Sequence, residues 1–152
     1  VRHPDAPADR AENFARLLRA HQPDVADDLL TWLGKWEAQG GRLQYGAAAE
    51  TSCAPALREG RGPQGGIWPV SVYPRSGTVE VVFEYLSGRE PFTRIGLLAE
   101  LRDRLRTIPG VELAVPDEEL TRRRPNFPLG ALRGEGLVIF AETLEWFRQQ
   151  SL

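Results

Sequence analysis

The clearest pattern in the chain runs from Ser76 to Leu86. Val79, Val81, Phe83 and Tyr85 alternate there with Glu80, Val82 and Glu84. A two-residue period sends the two sets to opposite faces of a strand, and β-branched and aromatic residues suit a pleated, half-buried surface. This run is expected to be the central strand of a small sheet. Ile67 to Tyr73 reads as the strand before it, weakened towards an edge or bulge by Pro69. Pro74-Arg75-Ser76-Gly77 is the turn that joins the two into a hairpin.

Helical periods flank these strands. Phe14, Leu17, Leu18 and His21 mark one face of a first helix after Asp9, which ends at Pro23. Val25, Leu29, Trp32, Leu33 and Trp36 mark a second helix, opened by Asp24 as N-cap and closed by Gly40-Gly41. Leu97, Leu98, Leu101, Leu105 and Ile108 mark a third helix, capped by Thr93 and stopped by Pro109-Gly110. Leu137, Phe140, Ala141, Leu144 and Phe147 mark a last one, from about Leu137 to Gln150. Arg42 to Gly46 and Val111 to Val115 read as short strands, Pro116 to Arg124 as a helical turn, and Pro125 to Pro128 as an extended connector. Ala47 to Gly66 shows no period and reads as a long loop, of the kind that is functional or disordered. The sum is an α+β (mixed α/β) fold with a three- to four-stranded sheet in the order ααβββαβα. Residues 1–8 form a tail or linker and residues 9–152 one globular domain.

Composition narrows the function classes. At 152 residues the chain is long enough to bury a core without metal or disulfide staples. A net charge of -2 gives no global attraction to nucleic acid, although a patch can hide within it. Lys35 is the one lysine among 19 basic side chains, so the positive surface is made of arginine. The single cysteine, Cys53, forms no internal disulfide and fits a reducing, cytoplasmic setting. No apolar run approaches the roughly 20 residues that span a bilayer.

Arg124-Pro125-Asn126-Phe127-Pro128-Leu129, after Ile108-Pro109-Gly110-Val111 and with Gln44-Tyr45-Gly46, resembles uncharacterised bacterial α/β domains associated with defence and restriction genes. The element order is also similar to a restriction-type nuclease core. That family places an acid near the second strand and an acid-x-Lys on the third, around a divalent metal. Here Glu80 occupies the third strand, Val82 stands at the lysine position, and the second strand has no acid. The resemblance therefore implies a degenerate site and no metal or other cofactor.

The remaining candidates are binding residues. Arg122, Arg123 and Arg124, with Arg102 and Arg106, supply guanidinium forks suited to phosphate. From Arg89 to Arg133, however, nine arginines meet seven acids, which leaves a surplus of only two. Ser52, Arg58 and Arg61, in the glycine-rich loop, are materials for an anion site, but the phosphate-loop and dinucleotide fingerprints are absent. Trp68, beside that loop, is a candidate for base stacking. Cys53 has only His3 and His21 as potential bases. Glu80 and Glu84, four residues apart on one strand, lie roughly 13 Å apart, too far to share an ion. No catalytic residue is assigned. The expectation is a non-catalytic binding or accessory domain within a larger bacterial defence-type system, contacting nucleic acid or a protein partner, with no membrane. The alternatives are a hydrolase (reduced nuclease or Cys53 thiol enzyme) and an oligomerisation module.

Overall fold

Four strands follow one another as antiparallel neighbours, and a fifth joins them after two helices. In the computed structural model, which describes residues 7–58 and 66–152, the elements are α1 (Pro7–His21), α2 (Pro23–Ala38), β1 (Arg42–Tyr45), β2 (Cys53–Ala56), β3 (Val70–Tyr73), β4 (Thr78–Val81), α3 (Phe83–Leu86), α4 (Ile95–Leu105), β5 (Asn126–Pro128) and α5 (Glu135–Ser151). A 3-10 turn spans Asp117–Arg122. The five strands lie in the order β1-β2-β3-β4-β5, and every pairing is antiparallel. The class is α+β, with five strands where the sequence suggests three to four. Among the described residues, no helix is long and apolar enough to cross a membrane.

Across β3, β4 and β5 the sheet has one apolar and one polar face, whereas β2 is buried on both. Register aligns Tyr45, Cys53, Val72, Val79 and Phe127 in one row. Their neighbours Val70 and Val81 are also buried, in one core with Phe14, Leu18, Leu29, Leu33, Leu101, Phe140 and Phe147 from the helices. The opposite row runs Ser71, Glu80 and Asn126 and is partly or fully exposed. An antiparallel sheet with helices on one side has this alternation. Phe92 stacks on Phe147 at 4.9 Å, and Trp32 meets Phe140 edge-on at 5.1 Å, so aromatic packing ties α2 and α5 into the same interior.

Five expectations are corrected. The Ala47–Gly66 loop contains β2. Cys53, Ala54, Pro55 and Ala56 are all buried, so no alternation marks them. Pro55, which lacks an N–H, sits between the β2–β3 pair Cys53↔Val72 and the isolated bridge Leu57↔Ile67. The long central strand ends at Val81, and its second half becomes α3. Val111–Val115 is no strand: Leu113 adopts a φ of 42° and turns the chain. The last strand is instead Asn126–Pro128, expected as a connector. At α2 the helix starts with Pro23 in its first turn and Gln22 as N-cap, which leaves Asp24 inside the helix.

Three local devices fix the segments around this core. The Glu50 carboxylate accepts the backbone N–H groups of Arg75 and Ser76 and the Ser76 hydroxyl, at 2.9, 2.6 and 2.8 Å, which pins the β3–β4 turn. The Asn13 amide donates to the Ala49 carbonyl and to Thr51 Oγ1, joining α1 to the segment before β2. Arg148 on α5 lies 4.4 Å over the Trp36 ring and donates to the Gln39 carbonyl at the end of α2. Glu50→Ala removes all three acceptor contacts at the turn, so it should cost about 1–2 kcal/mol in urea unfolding. A midpoint unchanged from the parent would show that the turn holds itself.

Candidate functional site

One end of the sheet gathers side chains that lie far apart in sequence, and strand register explains how. The Val70↔Val81 pair brings the start of β3 beside the end of β4, so Trp68 and Tyr85 approach each other. The Leu57↔Ile67 bridge sets Arg58 near Gly66. The Glu80↔Asn126 pair, continued by Val81 N–H to the Pro125 carbonyl at 2.7 Å, delivers Arg124 to the same end.

The break between β4 and α3 completes the arrangement. Leu86 N–H bonds the Val82 carbonyl at 3.0 Å and Ser87 N–H bonds the Phe83 carbonyl at 2.9 Å, closing one helical turn. Phe83 and Leu86 enter the core, and Tyr85 is left at its rim, partly exposed. Tyr85 stacks on Trp68 with ring centroids 4.5 Å apart and an interplanar angle of 24°. Its hydroxyl donates to the Gly66 carbonyl. The Arg89 guanidinium lies 3.7 Å from the Tyr85 ring centre, and Arg89 also donates to the Tyr85 carbonyl at 3.0 Å. Two groups this close to one ring cannot share a face, so Trp68 and Arg89 sandwich it.

The patch is cationic. Burial pushes the Tyr85 phenol upwards, while Arg89, Arg58 and Arg124 each pull it back towards ionisation. Arg89 covers the ring, and Arg58 and Arg124 lie near enough to act on the phenol through their charge. One acid tempers them, Glu84, which pairs with Arg124 at 2.8 Å; Arg58 donates at 3.5 Å to the backbone carbonyl of Glu90, which is uncharged. Both side chains of the Glu84–Arg124 pair are about half exposed, so the pair is a surface contact of small energy that a stronger anion can replace.

The sequence candidates divide accordingly. Trp68, Arg58 and Arg124 meet at this patch. Arg123 pairs with Glu119 at 2.8 Å, and its carbonyl receives the Glu84 N–H at 3.1 Å. Arg122 is exposed at the end of the 3-10 turn. Arg102 is largely covered and gripped by Asp103 and Asp117, and it donates to the Val115 carbonyl at 2.8 Å, which holds the 111–117 segment on α4. Arg106 is exposed at the C-cap of α4. Ser52 is partly buried and accepts the Gly46 N–H through its carbonyl at 3.0 Å. Arg61 lies outside the described residues. Tyr85 and Arg89 are additions to the sequence list. Their i, i+4 spacing becomes visible once the segment is read as a helical turn.

The catalytic alternatives find little geometry. Glu80 remains on β4 and Glu84 moves to α3, so the two do not share one strand face. Among the described residues, no group of three or more His, Cys, Asp or Glu side chains is placed to hold a metal ion. Cys53, the first residue of β2, is completely buried. Desolvation is the main cause that pushes its thiol upwards, against the smaller opposing effect of a hydrogen bond with Tyr45. That environment keeps the sulfur protonated and away from solvent. Comparison with protein-family models, with curated proteins and with solved structures finds no match to the chain.

The buried thiol generates a two-part prediction. In the native protein, Cys53 should react with a disulfide reagent no faster than the domain opens, and rapidly in urea. Immediate modification without denaturant would contradict the burial. Because the folded-state value lies above the ordinary thiol value of 9.0, the unfolded chain loses its proton first as pH rises. Stability is therefore full below about pH 9 and declines above it, and Cys53→Ala should flatten part of that decline in thermal melts.

Proposed function

We propose that this domain is a non-catalytic binding module whose partner is nucleic acid, engaged at the Trp68–Tyr85–Arg58–Arg89–Arg124 patch. The observation that supports the reading is a stacked aromatic pair at the end of the sheet with Arg89 over its ring and Arg58 and Arg124 brought to the same end by strand pairing. Guanidinium forks match phosphate oxygens, and each phosphate neutralised releases condensed counterions. The aromatic pair adds surface on which a base can lie. The net charge of -2 confines the attraction to this face and favours a modest, strongly salt-dependent affinity. A place within a larger bacterial defence system is the setting that the Arg124–Leu129 motif suggests for such a module.

Fluorescence anisotropy with a labelled oligonucleotide, read across a salt series, tests the proposal. If three arginines each meet one phosphate, log K against log salt should have a slope of about -2 for a single strand. Arg58→Ala, Arg89→Ala or Arg124→Ala should each weaken binding and make that slope shallower by about 0.7. Arg106→Ala, on α4, should change neither. Affinity that fails to appear even at low salt would remove nucleic acid as the partner.

A further inference from the structure

We infer that the bound form is a single strand, one base of which takes the place of Arg89 on the exposed side of Tyr85; this rests on the nucleic-acid reading above. One face of Tyr85 is held by Trp68. Among the described residues, the other is covered by the guanidinium of Arg89, a partly exposed side chain that also bonds the Tyr85 carbonyl. A base stacked on an aromatic ring contributes more than an exposed cation–π contact, so the exchange is favourable. The displaced guanidinium is then free to meet the phosphate of the same nucleotide, next to Arg58 and Arg124.

The ring is held ready for such a replacement. The hydroxyl of Tyr85 is tied to the Gly66 carbonyl, and Phe83 and Leu86 on either side of it are fully buried. The platform therefore stays in place when its cover leaves. A duplex offers phosphates but no free base face, and a base-free polyanion offers neither stacking nor shape. The geometry accordingly favours single strands over duplex, over polyphosphate and over acidic polypeptide.

The test compares four probes at one low salt concentration: a single-stranded oligonucleotide, its duplex, inorganic polyphosphate and polyglutamate. The single strand should bind best. Tyr85→Leu should weaken it about fivefold or more and leave polyphosphate affinity unchanged. Tyr85→Phe, which keeps the ring, should retain most of the single-strand affinity, and thermal melts of both variants establish that they fold. Phe at 85 also separates stacking from the hydroxyl's bond to Gly66. Equal affinity for single strand, duplex and polyphosphate would overturn the stacked base while leaving phosphate binding intact. Tightest binding to polyglutamate would overturn it in favour of an acidic protein partner. Binding to none of the four would overturn the nucleic-acid reading itself.

Discussion

Three consecutive apolar residues, Val81, Val82 and Phe83, are all buried, and the rest of the molecule follows from that. A strand cannot bury three in a row when one of its faces is open, because its side chains alternate. Continued as a strand, this segment would leave Val82 on the polar face beside Glu80. Burying a valine or phenylalanine side chain is worth about 1.5–3 kcal/mol, so turning the chain inward is the favourable solution. The turn costs little in hydrogen bonds. Val82 N–H still bonds the Pro69 carbonyl at 3.0 Å, and the helical pairs start at the Val82 carbonyl. One further ladder-like link, Glu84 N–H to the Arg123 carbonyl at 3.1 Å, ties the new helix to the segment that leads into β5.

That turn decides where Tyr85 sits. On a strand, Tyr85 would share the core face with Val79 and Val81. On α3, Phe83 and Leu86 take the interior, and Tyr85 reaches the sheet's end, where Trp68, Arg58 and Arg124 already arrive by register. The same helical turn sets Arg89 four residues later over the ring. Sheet pairing supplies three members of the patch and the helical break supplies two. The patch is thus a consequence of core packing and not a separate insertion.

The helices were legible because their apolar stripes are long and regular: Leu98, Leu101, Leu105 and Ile108 are buried as their spacing requires. The β3–β4 hairpin was legible from Pro74 to Gly77, where Gly77 has a φ of 73° that glycine tolerates. β2 was not, because Ala54, Pro55 and Ala56 are small residues buried on both faces and carry no period. The end of β4 left a signal that alternation alone obscured: Val82 is apolar within the set of positions otherwise occupied by Glu80 and Glu84. The three-residue β5 follows Pro125 and ends at Pro128, too short for any periodicity. Of the candidate site, Trp68, Arg58 and Arg124 could be named from the sequence, but their meeting depends on pairings made by strands that the sequence conceals.

The patch depends on the switch from strand to helix at Val82, and backbone and side-chain NMR shifts measure that switch directly. The prediction is strand-type Cα shifts through Val81, helix-type shifts from Phe83 to Leu86, and Arg89 side-chain protons moved upfield by the Tyr85 ring. Strand-type shifts continuing through Tyr85, with Arg89 protons at their random-coil positions, would contradict it.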